Sequence, residues 1–217
     1  WLRIFHWIMV VAICVLFVTG LMITSPWNIH ASEPTFSGMT LDNIRNIHFL
    51  AAYLFSASFI FKIYGFIMNR GDRLFPHVWK GYFYRNTVDV AMHYMFLKAE
   101  HASYLRNPLA RCSYAFLYVL VLIEIITGFG IYYMTDPFGI GGTLFGWIIP
   151  LLGGEMMAHL VLHYVAWGII LFAIGHVYMV IRAEFMEGES EVSSMFSGSK
   201  ILAHEPRDAG HLDGTLK

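Results

Sequence analysis

Five of the eleven histidines lie in or beside long apolar stretches of the sequence. They are the residues best suited to chemistry: His6, His48, His159, His163 and His176. An ionisable side chain in an apolar membrane segment is costly, so each one is first treated as a functional hypothesis. An imidazole there can ligate a metal ion or a cofactor, or it can relay protons. The choice depends on which histidines the fold brings to the same depth.

The elements that carry these histidines are typical of a membrane protein. Of the 217 residues, 57% are hydrophobic and only 13% are charged, unlike a soluble domain. Four apolar stretches reach the roughly 20 residues that a helix needs to cross a bilayer, at residues 4–24, 44–68, 110–134 and 156–181. We therefore predict an all-α protein with four transmembrane helices. The apolar segment 142–154 is broken by Gly and Pro, and we interpret it as interfacial or re-entrant.

Charge and cysteine content exclude several other classes of protein. The net charge of −1 gives no bias toward nucleic acid. Cys14 and Cys112 support neither a disulfide scaffold nor a zinc site. We predict a transmembrane domain over residues 1–184, in contact with lipid, and a polar, loosely packed cytoplasmic tail over residues 185–217.

The distribution of basic residues predicts the orientation in the membrane. The segment between the second and third apolar stretches is rich in them: Arg70, Arg73, Lys80, Arg85, Lys98 and Arg106, with Arg111 just beyond. The first and third connections together carry only Arg45. Because basic loops stay in the cytoplasm, we expect both termini and this segment to be cytoplasmic. Aromatic residues alternate with its charges, which predicts an amphipathic helix on the membrane surface.

With this topology the histidines fall at two depths. His6 and His176 lie toward the cytoplasm, whereas His48 and either His159 or His163 lie toward the outside. Two imidazoles from different helices at one depth can serve as the axial ligands of a six-coordinate haem. A metal ion without a porphyrin normally takes three or four protein ligands, which neither depth offers. We therefore predict two haems b.

Two glycines fit the same interpretation. Gly20 follows His6 by fourteen residues, close to four helical turns, so both lie on nearly the same face. Gly128 lies in the third apolar stretch, in the sequence ITGFG. A glycine lets a macrocycle approach the backbone closely, so we expect Gly20 and Gly128 to make room for haem.

Several stretches resemble one family of proteins: RIFHWIMVVAICVLFVTG, IRNIHFLAAY, NPLARC, IITGFGIYY and GHVYMVIRAEFM…VSSMFSG. They resemble the membrane cytochrome b subunit of respiratory nickel–iron hydrogenases, and the resemblance covers nearly the whole chain. It implies a four-helix dihaem cytochrome b bundle. Matched by motif, His6, His48 and His176 correspond to haem ligands of that family.

The resemblance also implies partners and a location. The chain would lie in the cell inner membrane, bound to the hydrogenase small iron–sulfur subunit and large nickel–iron subunit on the periplasmic side. It would carry electrons to membrane quinone in a respiratory chain, while the hydrogen chemistry would take place on the partner subunits. A dimer of the whole complex is compatible with the resemblance.

The fourth ligand departs from the family pattern. That pattern places a histidine fourteen residues before His176, where this sequence has Leu162. At about 100° per residue, His159 is about 60° from the expected direction and His163 about 100°. His163 is closer in depth, and a local π or 3₁₀ distortion would bring either one nearer. Both candidates stay open.

Other polar residues have two interpretations each. Lys62 and Arg182 are candidate contacts of haem propionates, or they mark the headgroup region. Glu124 is a candidate proton carrier toward quinone, or a hydrogen-bonding partner of a neighbouring helix. His93 and His101 are interpreted as solvated, with a quinone-site role as the alternative.

Two other functions compete with the hydrogenase interpretation. The chain could be the cytochrome b subunit of formate dehydrogenase or of another periplasmic oxidoreductase. It could also be a haem-free membrane anchor or proton relay that uses the same histidines and Glu124.

Overall fold

A computed structural model describes residues 2–25, 40–68, 81–98, 107–186, 188, 190–199 and 201. These residues form helices and contain no β-strand, so the predicted all-α class is confirmed. In chain order the helices are α1 (Leu2–Thr24), α2 (Leu41–Met68), α3 (Gly81–Tyr94), α4 (Pro108–Tyr132), α5 (Ile140–Phe145), α6 (Ile148–Leu152), α7 (Glu155–Met186) and α8 (Glu191–Ser197), with a 3₁₀ turn at Tyr133–Thr135 after α4.

The four predicted transmembrane helices are present. The spans long and apolar enough to cross a bilayer are Arg3–Thr24, Leu41–Met68, Pro108–Thr135 and Glu155–Met186. Large apolar side chains cover their outer surfaces; Leu171 and Ile174 of α7 are 67% and 63% exposed. Exposing such an apolar surface to water is unfavourable, whereas exposing it to lipid is not. A helix can also cross the bilayer because its backbone hydrogen bonds are satisfied within the helix. The chain is therefore an integral membrane protein.

Some predicted features lie outside the described residues. They are Arg70, Arg73, Lys80, Arg106, His101 and the tail beyond residue 201. The described part of the predicted surface helix is α3, which buries Phe83 and Val90 and leaves Tyr84 and Arg85 exposed. The helix thus has an apolar and a polar face, as expected.

The chain divides into two compact units, residues 1–72 and residues 73–217. The described part of the first unit is an antiparallel pair of helices, α1 and α2. The rings of Phe5 and Phe61 stack with their centroids 5.6 Å apart at one end of the pair. At the other end, Thr19 of α1 contacts His48 of α2.

The second unit is built on a second antiparallel pair, α4 and α7. The ring of Tyr114, near the start of α4, lies 6.3 Å from that of His176, near the end of α7. Near the end of α4, Gly128 lies beside Leu162 of α7, so a Cβ on the glycine would be 3.6 Å from Leu162 Cδ1. The start of α4 is fixed by Asn107, whose Oδ1 accepts a hydrogen bond from Leu109 N at 2.9 Å, the usual arrangement of a helix N-cap.

The segment predicted to be interfacial forms the short helices α5 and α6. It packs against α4 at Gly130, where a Cβ would lie 2.2 Å from Ile148 Cγ2 and 3.3 Å from the Phe145 carbonyl oxygen. Gly153 and Gly154 then adopt positive φ angles of 92° and 114°, which favour glycine. They end α6 and allow the chain to turn into α7.

Part of the predicted tail is more ordered than expected. Helix α7 continues to Met186, and α8 packs against its end. The Glu184 carboxylate accepts a hydrogen bond from Val192 N at 2.9 Å and another from the Ser193 hydroxyl. A side chain of α7 therefore satisfies free amides at the start of α8.

Candidate functional site

His48 is held against the last turns of α1. Its Nδ1 lies 2.8 Å from Thr19 Oγ1, and its Cε1 would lie 3.6 Å from a Cβ at Gly20. The Thr19 side chain is buried, with 8% exposure, and the His48 ring is half-buried. The Thr-Gly pair thus contacts this candidate ligand directly.

His6 lies at the opposite end of the same unit. It is half-buried beside Trp7, whose ring it meets edge-on at 5.3 Å. The antiparallel packing of α1 on α2 puts His6 at the Phe5–Phe61 end and His48 at the Thr19 end. The two histidines are therefore separated along the length of this helix pair, and their depths in the membrane stay a prediction.

His176 is fixed by aromatic rings in the second unit. Its ring stacks on Phe172, one turn earlier, with centroids 5.9 Å apart and planes inclined by 6°. Tyr114 of α4 lies on a second side. These contacts restrict the rotation of the imidazole.

His159 and His163 lie near the other end of α7, far from His176 along the helix. His159 has a side chain that is 52% exposed, with its Nε2 3.7 Å from a Glu155 carboxylate oxygen. The Nε2 of His163 accepts a hydrogen bond of 3.2 Å from Trp167 Nε1. Helix α7 is α-helical throughout Glu155–Met186, so it contains no π or 3₁₀ distortion that would bring either histidine closer to the direction of Leu162.

The two glycines differ in what they face. Gly20 faces the His48 imidazole, whereas Gly128 faces Leu162, the position where the family pattern has a histidine. Gly20 therefore lies beside a candidate ligand, and Gly128 lies beside the position at which the resemblance implies one. At each one an added Cβ would make only an ordinary van der Waals contact within its own unit.

The donors present suit an iron that already has equatorial ligands. No group of three or more His, Cys, Asp or Glu side chains among the described residues could hold a metal ion by itself. A porphyrin supplies four nitrogens, so haem iron needs only two axial ligands from the protein. Single half-buried imidazoles such as His48 and His176 fit that requirement.

Lys62 and Glu124 lie on transmembrane helices as predicted, and both are half-buried. Lys62 is near the end of α2, in the half of its unit that contains His6. Glu124 is in the middle of α4, and its Oε2 is buried with no hydrogen-bond partner among the described residues.

A buried cluster around Arg182 was not expected from the sequence. Arg182 Nη2 lies 3.2 Å from Nε2 of His93, Nη1 donates to the Tyr178 hydroxyl at 3.1 Å, and the guanidinium lies 4.3 Å from the centre of the Phe96 ring. His93 Nδ1 is 3.1 Å from the Lys98 carbonyl oxygen. His93 is 6% exposed, so its interpretation as a solvated residue is wrong. The available signal was its spacing of three residues after Val90, on the apolar face of α3.

Comparison with known proteins identifies the class. The family model described as prokaryotic cytochrome b561 matches residues 1–198. The chain belongs to this family, and it is a membrane electron-transfer protein of the b-type cytochromes, which implies haem b. Membership of a b-type cytochrome family argues against the haem-free anchor.

The relatives narrow the class further. A Cupriavidus necator protein named as a probable Ni/Fe-hydrogenase B-type cytochrome subunit is 35% identical over 206 residues, covering 92% of this chain and 84% of the relative. A protein of the same name from Rhodobacter capsulatus is 31% identical, covering 92% and 79%. The probable Ni/Fe-hydrogenase 1 B-type cytochrome subunit of Escherichia coli K12 is 30% identical, covering 90% and 86%. The resemblance to hydrogenase cytochrome b subunits is thus confirmed.

Proposed function

We propose that the chain is the dihaem cytochrome b of a membrane-bound nickel–iron hydrogenase. It accepts electrons from the iron–sulfur small subunit of a periplasmic hydrogenase and passes them to membrane quinone. The names of the relatives support the hydrogenase partner. The chain itself binds and orients cofactors, and haem, when bound, supplies one-electron transfer.

The observation that carries the proposal is the distribution of histidines within each unit. In the first unit, His6 and His48 lie at opposite ends of the α1–α2 pair. In the second, His176 lies at one end of α7, and His159 and His163 at the other. Two axial ligands per haem and two histidine positions per unit account for two haems b.

We propose His159 as the fourth ligand in place of His163. Coordination requires a nitrogen with a lone pair free to face the iron. His163 Nε2 already accepts from Trp167, and coordination through that nitrogen would break this hydrogen bond. The polar neighbour of His159 among the described residues is an exposed carboxylate, that of Glu155. His159 is also the closer of the two to the direction of Leu162.

Haem content measured on single variants tests the ligands. We expect two haems b per wild-type chain by pyridine haemochromogen assay, and one after His48→Ala, His176→Ala or His159→Ala. His163→Ala is the matched control on α7 and should keep both haems. Loss of a haem in His163→Ala but not in His159→Ala would reverse the assignment, and no haem in the wild type would overturn the proposal.

The partner and the electron acceptor need a separate experiment. The chain should purify from its native membranes with a nickel-containing complex that reduces a quinone analogue with hydrogen. His6→Ala and His176→Ala should abolish quinone reduction while hydrogen oxidation with a soluble dye continues on the partner subunits. Molybdenum in place of nickel in the purified complex would support the formate dehydrogenase alternative.

A further inference from the structure

The Thr19 hydroxyl has three polar neighbours that fix the position of its single hydrogen. It lies 2.6 Å from the Val15 carbonyl oxygen, 3.3 Å from the Leu16 carbonyl oxygen and 2.8 Å from Nδ1 of His48. A carbonyl oxygen can only accept a hydrogen bond, so the short contact with Val15 takes the hydroxyl hydrogen. The oxygen of Thr19 then has only lone pairs to offer His48.

This arrangement determines the protonation of the imidazole. Facing an oxygen that accepts, Nδ1 must carry its own hydrogen and donate it to Thr19. The neutral ring with hydrogen on Nδ1 has its lone pair on Nε2.

We infer that Thr19 is a positioning residue that keeps His48 in the tautomer able to coordinate iron through Nε2. This inference rests on the proposed role of His48 as a haem ligand. Ligating histidines are commonly held by a hydrogen bond from their other ring nitrogen, which fixes the tautomer and orientation and increases the donor strength of the ring. Here the acceptor is a buried hydroxyl that is itself fixed by the backbone of α1.

Gly20 belongs to the same arrangement. It follows Thr19, and its Cα faces the Cε1 edge of the His48 ring, between the two nitrogens. The pair Thr19-Gly20 thus provides a hydrogen-bond acceptor and a flat surface for one ring. The role of the threonine is distinct from ordinary helix packing, since packing needs its shape but not its oxygen lone pairs.

Two substitutions separate shape from hydrogen bonding. Thr19→Val keeps the shape and removes the oxygen, and Thr19→Ser keeps the oxygen and removes a methyl group. In the purified haem-loaded chain, Thr19→Val should release one haem to apomyoglobin about 10- to 100-fold faster, the usual loss of metal affinity when such a partner is removed. The electron paramagnetic resonance g-values of that haem should shift, while those of the other stay unchanged. Thr19→Ser should match the wild type in both measurements.

Three outcomes would overturn the inference. Wild-type haem release and g-values in Thr19→Val would show that the hydroxyl has no effect on His48. Equal changes in Thr19→Val and Thr19→Ser would assign the effect to shape. If Thr19→Val and a further variant, Thr19→Ala, both failed to fold while Thr19→Ser folded, the hydroxyl would be required for folding itself and not for positioning a haem ligand. A His48→Ala chain that keeps both haems would instead overturn the ligand assignment in the proposed function.

Discussion

At the scale of single residues, the guanidinium of Arg182 joins helix α7 to helix α3. It contacts His93, Tyr178 and the ring of Phe96, and the Tyr178 hydroxyl donates to the Tyr94 carbonyl oxygen at 3.2 Å. A buried polar group is stable only with partners, and removing one partner leaves the others unsatisfied. The cluster therefore gives Arg182 a structural role, and its predicted contact with a haem propionate stays a prediction.

We expect Arg182→Gln to destabilise the protein by about 1–3 kcal/mol, the usual cost of unsatisfied buried groups. The melting temperature of the purified chain in detergent should fall accordingly. Arg45→Gln is the matched control, because the pair that Arg45 forms with Asp42 at 3.8 Å is exposed, and such pairs contribute little. Equal melting temperatures for the two variants would contradict the structural role, and a selective loss of haem in Arg182→Gln would favour a propionate contact.

What could be predicted from the sequence depends on how far apart in the chain the contacting residues lie. The candidate histidines could be assigned to predicted depths because hydropathy and charge indicate the position of a residue along a transmembrane helix. The contact of His93 with Arg182 spans 89 positions of the chain and depends on how α3 packs on α7. The Thr19–His48 contact spans 29 positions, and the sequence indicates only that the two residues share a depth.

At the scale of the elements, hydropathy predicted the four long helices because bilayer thickness sets their length. The short helices form for other reasons. Helix α8 has seven residues, too few to form alone, and Glu184 of α7 satisfies its first amides. Helices α5 and α6 pack closely against Gly130 of α4. These short elements follow from tertiary contacts, which periodicity does not reveal.

Gly130 and Gly175 form a matched pair for testing this dependence. A Cβ at Gly130 would overlap Ile148 Cγ2, whereas a Cβ at Gly175 would meet nothing within 4 Å. We expect Gly130→Ala to cost about 1–3 kcal/mol, as overpacking usually does, and to expose α5–α6 to protease. Gly175→Ala should be neutral or stabilise α7 by about 0.5–1 kcal/mol, because alanine favours the helix. The same melting temperature for both variants would show that α5–α6 does not need the close approach at Gly130.

At the scale of the whole molecule, the orientation of the chain in the membrane determines which end faces the periplasmic electron donor of the proposed function. The positive-inside rule predicts that both termini lie in the cytoplasm and that the connection between α4 and α7 lies outside. Electrons from a periplasmic hydrogenase would then enter at the His48 end of the first unit or at the His159 and His163 end of the second unit. The reverse orientation would turn the His6 end or the His176 end toward that partner.

Two exposed positions on opposite predicted sides make this orientation measurable. Phe138 is 97% exposed in the connection after α4, and Ser199 is exposed after α8. In a chain with Cys14→Ala and Cys112→Ala, a membrane-impermeant maleimide should label the Phe138→Cys variant in intact spheroplasts. It should label the Ser199→Cys variant only after the membrane is permeabilised. The opposite pattern would place the termini outside, and a periplasmic hydrogenase could no longer deliver electrons at the His48 end.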